Sequence, residues 1–322
     1  MNNIAILGAG FSTSTLCYYL NEKDIKVFEK ARGPGGRSST RKVDDIGVFD
    51  HGLQYISPKD KNFSEFLKLN KSVKQWDGDF VEIDGKVSVL PPSEKLIGIT
   101  GNNDFVKSNI NLDQCHFKTR IERIEYQNDH WKLIDDSSNE HLAKKIILTL
   151  PQEQTNILIK DLDLKFEIKE NFMKPCFTVM LALKESPIFK HSGYVIKNNK
   201  IISWCANESS KFRDLNNKDL TLLTLQTTEE YGFANFKRYR ENKEHILNEI
   251  LSEFLDIFKI DDSEVIHKNV HGWLYAFSEN QSSEVFWDDK KYIGITGDWF
   301  TGGRAENAWI NAKLLSEKID RS

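Results

Sequence analysis

The feature that most constrains this fold is a short apolar strand followed at once by a glycine turn. Residues 4–7 are apolar, the next three are Gly-Ala-Gly, and a helical pattern occupies residues 11–20. Gly8 permits a tight turn, while Gly10 lets an anionic group approach the backbone N–H groups at a helix N-terminus. The pattern predicts the first half of a βαβ dinucleotide-binding unit.

Glu29 completes this unit at the end of a second apolar segment. It follows Gly8 by 21 residues, the position where a carboxylate accepts hydrogen bonds from a ribose diol. The same carboxylate would repel a 2′-phosphate, which disfavours NADP as the nucleotide bound there. Thr13 replaces the third glycine of the usual motif, so we expect the helix to lie slightly farther out with the site retained. A chance glycine turn is the alternative.

A second glycine-rich segment follows Glu29 directly. Residues 31–42 read ARGPGGRSSTRK, with three glycines, one proline and four cations. Glycines avoid Cβ clashes with a ligand, and an arginine can bind phosphate oxygens through two N–H groups. The segment predicts a loop across a second part of an extended ligand, and a solvated loop is the alternative.

Composition narrows the class of protein. At 322 residues the chain is long enough for two domains, or for one with a large insertion. Its 44 basic and 48 acidic residues give a formal charge of −4, which disfavours nucleic acid or an anionic membrane as a partner. The cysteines lack metal-ligand spacing, and no apolar run approaches the roughly 18 residues of a membrane span. We expect a cytoplasmic protein with reduced thiols and no metal site.

Segments near both ends resemble a known family. Residues 27–42, VFEKARGPGGRSSTRK, and residues 49–57, FDHGLQYIS, resemble the flavoproteins of the amine oxidase superfamily, and within it look most like the bacterial renalases. The resemblance extends to residues 292–319, where a strand, a Gly-Asp turn and a helix follow one another. It covers essentially the whole chain, with sharp motifs only in residues 4–55 and 292–312. An ordinary strand-turn-helix is the alternative for the second segment.

The resemblance implies FAD, bound non-covalently, as the cofactor. In that superfamily the first glycine motif and the acid bind the ADP half, and the later Gly-Gly-Arg loop helps to hold the diphosphate and the ribityl chain. The Gly-Asp carboxylate meets the ribityl hydroxyls, and the next helix aims its N-terminus at the flavin pyrimidine. A residue at the position of Ile121 meets the adenine through its backbone. The implied FAD-binding residues are Gly8, Gly10, Phe11, Ser12, Glu29, Lys30, Gly36, Arg37, Ser38, His51, Gly52, Gln54, Ile121, Asp298, Arg304 and Ala305.

The predicted fold class is α/β, with a Rossmann-like FAD-binding domain of the p-hydroxybenzoate hydroxylase and amine oxidase type. Strand patterns from about residue 156 and a long helix with Ile246 and Ile250 on one face predict an inserted substrate domain, an antiparallel sheet plus helix. Two-residue hairpins are expected at residues 84–85 and 128–129. We assign residues 1–75, 105–155 and 271–322 to a discontinuous FAD-binding domain, and residues 76–104 and 156–270 to the substrate domain.

Aromatic residues are the candidates for a substrate pocket. His271, Trp273 and Tyr275 alternate along a predicted strand and so share one face, in a segment that is similar in the bacterial renalases. The full candidate set is His271, Trp273, Tyr275, Tyr194, Trp204 and Trp299. Core packing is the alternative for each, and His271 is alternatively a structural histidine. Candidates to meet a substrate phosphate are Asn171, Lys174 and Lys211.

No catalytic residue is assigned, because the flavin itself would accept the hydride. The sequence has neither a second strand-linked G-x-G-x-x-G nor a G-x-S-x-G or H-E-x-x-H motif. The resemblance implies oxidation of dihydronicotinamide isomers, the 2- and 6-dihydro forms of NAD(P), by hydride transfer to flavin N5. Molecular oxygen is the expected acceptor, giving hydrogen peroxide. The alternatives are an amine oxidase or desaturase-like flavoenzyme, and a non-catalytic flavin-binding sensor.

Overall fold

The computed structural model describes residues 2–20, 24–166, 173–279 and 284–321. The helices are α1 (Phe11–Tyr19), α2 (Lys61–Leu69), α3 (Asp104–Lys107), α4 (Gln152–Ile159), α5 (Glu229–Glu241), α6 (Lys243–Phe258) and α7 (Ala305–Asp320). The strands are β1 (Asn2–Leu7), β2 (Ile25–Glu29), β3 (Thr40–Val43), β4 (Gly47–Asp50), β5 (Val73–Gln75), β6 (Phe80–Asp84), β7 (Lys86–Val89), β8 (Leu96–Gly98), β9 (Cys115–Phe117), β10 (Ile121–Gln127), β11 (His130–Asp135), β12 (Glu140–Leu148), β13 (Lys174–Lys184), β14 (Gly193–Ile196), β15 (Ile202–Asn207), β16 (Leu220–Thr227), β17 (Val265–Phe277), β18 (Phe286–Asp288) and β19 (Ile293–Ile295).

The first sheet has eight strands, with the predicted βαβ unit at its centre. β1 lies between β2 and β12 and runs parallel to both, so that Ile6 is opposite Val27 on one side and Ile147 on the other. β9 pairs in parallel with β2, and β19 pairs in parallel with β12. Since parallel neighbours need a crossover, α1 passes over one face of this sheet. There it packs with α7, burying Leu16 and Leu315 in one core.

The second sheet has seven strands in the order β17-β13-β16-β15-β14-β6-β7. Its neighbouring strands are antiparallel, except for the parallel pair β14 and β6. One face carries alternate apolar residues such as Leu181 and Leu223, which pack against Ile250 and Phe254 of the long helix α6. The predicted α/β fold class, with an antiparallel sheet and helix after the Rossmann-like part, is confirmed.

A two-stranded ribbon connects the two sheets. β3 and β4 follow the glycine-rich loop, and Phe49 of β4 packs against Met180 and Leu222 of the second sheet. At the other boundary, β17 continues past residue 270 and pairs with β13 as far as Phe277. The proposed domain limit between residues 270 and 271 therefore falls inside a single strand of the second sheet.

Both predicted hairpins are present, but the first turn is centred on Gly85, because Asp84 is already paired with Lys86. Both turns need left-handed backbone. Gly85 has a φ of 66°, and Asn128 and Asp129 have φ values of 51° and 59°. Glycine, asparagine and aspartate tolerate this conformation best, which is why these dipeptides predicted the turns. Among the helices of the described ranges, none is long and apolar enough to cross a bilayer.

Candidate functional site

The glycine turn between β1 and α1 places each glycine in a different environment. Gly8 has a φ of 100°, and a Cβ there would lie 2.7 Å from the Thr149 hydroxyl oxygen. That position therefore needs glycine. A Cβ at Gly10 would meet nothing within 4 Å, so there is open space above the backbone. Gly10 is also the N-cap of α1 and, lacking a side chain, leaves the first N–H groups of the helix to an outside partner.

Thr13 stabilises this turn from the interior of the protein. Its hydroxyl lies 2.7 Å from the Gly8 carbonyl oxygen and 2.9 Å from the Thr149 hydroxyl, and Thr149 donates to the Leu7 carbonyl oxygen at 2.8 Å. Thr13 is completely buried. The residue that departs from the usual glycine motif thus occupies the interior of the turn with its hydrogen bonds formed.

Glu29 ends β2 and is held by the backbone of two loops. One carboxylate oxygen accepts from the Ala9 N–H and the other from the Ala31 N–H, each at 2.8 Å. The carboxylate is therefore fixed at the edge of the glycine turn. Each oxygen has a second lone pair that can accept from a ligand hydroxyl.

Two further residues, Lys30 and Ile121, are predicted to bind the cofactor near Glu29. Lys30 is exposed, whereas Ile121 is buried at the start of β10. The segment that leads into β10 reaches Glu29, because the Thr119 N–H donates to the Glu29 carbonyl oxygen at 3.0 Å. Lys30 therefore follows the acid in sequence, and Ile121 lies two residues beyond a segment that is hydrogen-bonded to it.

The glycine-rich loop after β2 folds back onto the glycine turn. The Gly35 N–H donates to the Ala9 carbonyl oxygen at 2.8 Å, and a Cβ at Gly36 would lie 3.3 Å from the Gly10 Cα. Ser38, in the short helical turn that follows, is buried. The loop is packed against the βαβ unit and is not a freely solvated segment.

Arg37 links this loop to the distant end of the chain. Its guanidinium forms an ion pair with Asp298, which lies in the turn between β19 and α7. It also donates to the Ala276 carbonyl oxygen of β17 at 3.2 Å. The structure thus brings together the two motifs that the sequence places at opposite ends.

The beginning of α7 lies beside α1. Arg304, its N-cap residue, is exposed and makes no side-chain capping bond, and Ala305 opens the helix. Ser12 of α1 donates to the Ala308 carbonyl oxygen at 3.5 Å, and Phe11 is buried in the same core. Two uncapped helix N-termini therefore belong to this region.

The turn after β4 packs closely under the same loop. A Cβ at Gly52 would lie 2.0 Å from the Arg37 carbonyl oxygen, so the two segments approach as closely as glycine allows. The Gly52 carbonyl oxygen accepts from Gln54 at 3.0 Å and from Gln226 of the second sheet at 2.7 Å. The Gln54 Oε1 atom is buried without a partner among the described residues.

His51, His271 and Trp273 form a group that we call the aromatic wall. The ring centroid of His51 lies 5.0 Å from His271 and 5.3 Å from Trp273, and the last two rings are 4.5 Å apart. The Trp273 Nε1–H donates to the His51 carbonyl oxygen at 2.7 Å. Tyr275 is half-buried next to a register shift between β13 and β17.

Both histidines of the aromatic wall are neutral at pH 7. Burial, together with the neighbouring His271 and Arg41, lowers the pKa of His51 to about 3. Burial, together with Arg41 and Lys243, lowers the pKa of His271 to about 4. The Nδ1 atom of His51 is buried and has no partner within the described ranges.

The register of the second sheet places Trp204 on the same face as His271. Directly opposite residues share a face, and His271 pairs with Thr178, Thr178 with Gln226, and Gln226 with Trp204. We call these four residues the sheet row. Sequence reasoning missed its two central members, Thr178 and Gln226, because the row is formed by strand register.

Tyr194 and Trp299 are not part of this group. Tyr194 pairs with Cys205 on the opposite face of the sheet and packs against Phe258 at 5.4 Å between ring centroids. Trp299 is 1% exposed, and its Nε1–H donates to the Leu150 carbonyl oxygen at 3.1 Å. Both side chains are buried in the core.

Lys211 belongs to a buried ionic cluster and not to a phosphate site. Its ammonium lies 2.8 Å from Asp50 and 2.9 Å from Glu208, and Arg213 lies 2.6 Å from Asp50 and 3.2 Å from Glu208. The four side chains are at most 1% exposed. The cluster joins β4 to the turn after β15, and no spacing in the sequence indicated it.

The two acids of this cluster differ in their ionisation. Burial opposes the charge of Asp50, but Lys211 and Arg213 outweigh it and hold the pKa of that carboxyl well below its usual range. For Glu208 burial prevails and raises the pKa. The folded protein thus favours the anion of Asp50 more than that of Glu208.

Of the other two candidates for a phosphate contact, only Lys174 lies among the described residues. Lys174 is paired with Glu229 and Glu279, each at 2.9 Å, so its charge is already neutralised. Asn171 lies outside the described residues.

The geometry agrees with similarities to known proteins. Residues 6–68 match the NAD(P)-binding Rossmann-like domain family. The fold is similar to a candidate protoporphyrinogen oxidase from Exiguobacterium sp. 255-15, with a TM-score of 0.74 and 11% identity over 99% of each chain. It is also similar to cyclohexylamine oxidase from Brevibacterium oxydans IH-35A, with a TM-score of 0.71 and 12% identity over 99% of each chain. For putrescine oxidase bound to putrescine the TM-score is 0.67, with 10% identity over 100% of this chain and 99% of the other. The chain therefore has the α/β fold of these oxidases, and its residues 6–68 are similar to the NAD(P)-binding Rossmann-like domain family.

Proposed function

We propose that this chain is a FAD-dependent oxidoreductase of the flavin amine oxidase superfamily, with a renalase-like activity on 2- or 6-dihydro forms of NAD(P). The observation that carries the proposal is the Arg37–Asp298 ion pair. It joins the loop and the turn that, by resemblance, hold the two parts of one long cofactor. FAD bound there would supply the hydride acceptor, with molecular oxygen as the proposed final acceptor, giving hydrogen peroxide.

The residues present fit non-covalent FAD. Glu29 offers a fixed carboxylate to a ribose, and the open space above Gly10 admits a diphosphate close to the N-terminus of α1. Arg37 supplies a cation and Asp298 a buried carboxylate for the ribityl hydroxyls. The uncapped N-terminus of α7, at Arg304, favours negative charge near the flavin pyrimidine.

The aromatic wall suits a dihydronicotinamide ring. Loss of hydride leaves this ring with a positive charge, so cationic histidines beside it would oppose the reaction. The lowered pKa values keep His51 and His271 neutral. The indole face of Trp273 attracts a cationic ring. We therefore propose that the substrate ring lies against this wall, with the second sheet as the substrate side of the site and the first sheet as the FAD side.

An amine oxidase is the second candidate. Its support is the fold similarity to cyclohexylamine oxidase and putrescine oxidase. A wall of neutral imidazoles and an indole would also accept an uncharged amine, since neither imidazole is protonated at pH 7.

The decisive experiment is anaerobic mixing of the purified holoprotein with a panel of reductants. We expect a yellow protein that releases FAD on denaturation. Its flavin absorbance should bleach much faster with 6-dihydro-NAD than with ordinary 4-dihydro-NADH, cyclohexylamine or putrescine. Bleaching only by amines would favour the second candidate. A flavin that none of these compounds reduces would favour a non-catalytic flavin-binding protein, and a colourless protein that refuses FAD would overturn the proposal.

A further inference from the structure

We propose that Arg41 and Lys243, on either side of the edge strand β17, form a subsite for a phosphate or diphosphate group of the substrate. This inference rests on the proposed function and makes it more specific. The substrate would be a phosphorylated dihydronicotinamide nucleotide, and neither a free nicotinamide base nor a simple amine.

The position of Arg41 follows from strand register. It lies on β3 directly opposite Phe49 of β4, so the two side chains share a face. The Phe49 ring stacks 6.2 Å from the ring of His267 on β17. In agreement, the charge of Arg41 contributes, after burial, to the lowered pKa values of His51, His267 and His271. The strand register and the ring stack therefore place Arg41 on the face of the ribbon that lies against His267 of β17.

Lys243 approaches the same strand from α6. It is the first residue of that helix, and its ammonium lies 3.5 Å from the Asn269 side-chain oxygen. Asn269 lies between His267 and His271 on the same face of β17. Lys243 also contributes to the lowered pKa of His271, as Arg41 does. Lys243 is thus next to Asn269, and Arg41 is on the side of His267, two residues away along β17.

Neither cation is neutralised by a carboxylate in the part of the chain that the structure describes. Some other basic residues of the second sheet and its helices are paired, such as Lys174 with two glutamates and Arg238 with Glu249 at 2.7 Å. Asp50, the acid that opposes the lowered pKa of His51, is already bound by Lys211 and Arg213. Two unpaired cations at one edge favour an anion that can bind both.

Polar groups beside these cations can complete the subsite. The Nε2 atom of His267 is buried and unpartnered among the described residues. The Tyr239 hydroxyl accepts from the Gly272 N–H at 3.1 Å at the edge of β17, which leaves its own proton free to donate. A phosphate oxygen can therefore find donors as well as charge.

Trp273, His271 and Asn269 follow one another along one face of β17, so a nucleotide could lie along the strand. A strand rises about 3.3 Å per residue, so Asn269 lies roughly 13 Å from Trp273 and His271 is midway between them. In a nucleotide, one ribose separates the ring from its phosphate. A nicotinamide against Trp273 would thus extend its ribose past His271, and the long Arg41 and Lys243 side chains would reach the phosphate.

The test compares phosphorylated and unphosphorylated donors. Anaerobic flavin reduction is followed with 6-dihydro-NAD, the 6-dihydro mononucleotide and the 6-dihydro riboside, for wild type, Arg41→Gln and Lys243→Gln. Each substitution should raise the apparent Kd of both phosphorylated donors about tenfold, leaving the limiting rate and the riboside unchanged. Lys42→Gln is the matched control, because Lys42 is the next residue of β3 and its side chain is 59% exposed, 3.7 Å from Asp44. An equal effect on the riboside, or no effect on any donor, would overturn the subsite.

Binding of inorganic pyrophosphate separates this inference from the proposed function. If no dihydronicotinamide donor reduces the flavin, calorimetric titration of the holoprotein with pyrophosphate still tests whether the anion subsite exists. The subsite predicts that wild type and Lys42→Gln bind pyrophosphate equally, and that Arg41→Gln and Lys243→Gln bind it about tenfold more weakly. That result would support the anion subsite even though the proposed function fails. Equal binding to all four proteins, or no binding, would reject the subsite.

Discussion

Arg37 and Asp298 are 261 positions apart in the chain, yet they form an ion pair between the loop after β2 and the turn before α7. The Arg37 side chain is 34% exposed and that of Asp298 is 6% exposed. Only one partner is therefore buried, while the arginine is partly accessible. This contact holds the loop after β2 against the turn before α7, the two segments that are proposed to bind the cofactor.

The first prediction concerns this pair. Asp298→Asn should weaken FAD binding about tenfold, because the buried carboxylate is the proposed ribityl ligand. The free energy of unfolding of the apoprotein should change by less than about 1 kcal/mol, because the released arginine is hydrated. Arg123→Gln, which removes an exposed arginine 3.0 Å from Glu125, is the control. FAD titration and urea denaturation measure the two effects. Unchanged FAD affinity with a large loss of stability would make the pair purely structural.

The second prediction ranks two substitutions by cofactor retention. Glu29→Gln should weaken FAD retention more than His271→Ala, because Glu29 lies where the ADP half is proposed to bind. The amide NH2 of glutamine also cannot accept, so one of the two hydrogen bonds from backbone N–H groups is lost. His271 belongs to the wall proposed for the substrate. Fluorescence of released FAD after dialysis measures the ranking. The reverse order would contradict the assignment of cofactor and substrate sides.

The third prediction distinguishes the two acids of the buried ionic cluster. Asp50→Asn should cost about 3–5 kcal/mol of unfolding free energy, since it leaves Lys211 and Arg213 with a single acid. Glu208→Gln should cost only about 1–3 kcal/mol, because burial already disfavours the charge of that acid. Urea denaturation of the apoproteins at neutral pH measures both. Equal losses would show that the acids are equivalent.

The fourth prediction is a pH dependence of stability. Unfolded histidines titrate near 6.5, whereas folded His51 and His271 have pKa values of about 3 and about 4. Between these values the unfolded state binds more protons, so stability contributed by the two neutral imidazoles is present above pH 6.5 and is lost as the pH falls. We compare the slope of unfolding free energy against pH, measured by urea denaturation at several pH values. Near pH 5 this slope should be shallower in the double variant His51→Asn/His271→Asn than in wild type, by up to about 2.7 kcal/mol per pH unit. Parallel curves for the two proteins would contradict the lowered pKa values.

The fifth prediction concerns the threonine in the glycine turn. Thr13→Val keeps the shape but leaves the Gly8 carbonyl and the Thr149 hydroxyl without this partner, at a cost of about 1–3 kcal/mol. Thr13→Ser retains the hydroxyl and should cost clearly less. Thermal or urea unfolding of the apoproteins separates the two substitutions. If the two substitutions are equally destabilising, the hydrogen bonds of the hydroxyl group do not account for the stability that Thr13 contributes.

Local sequence chemistry determined the βαβ unit, the position of Glu29 and both hairpins. Gly8, Gly85 and the Asn128-Asp129 pair have positive φ values, and few residue types tolerate them. A turn of this kind depends on neighbours within a few residues. The same holds for the apolar period of α6, so these elements could be predicted without knowledge of the fold.

Tertiary structure alone decided which distant side chains meet. Strand register placed Trp204 in the row with His271 and turned Tyr194 to the opposite face, because a shift of one residue reverses a side chain. Docking of the β3–β4 ribbon on the second sheet brought Asp50 to Lys211. Charges attract whatever partner the packed backbone brings within reach, and that distance is a property of the whole fold and not of any segment.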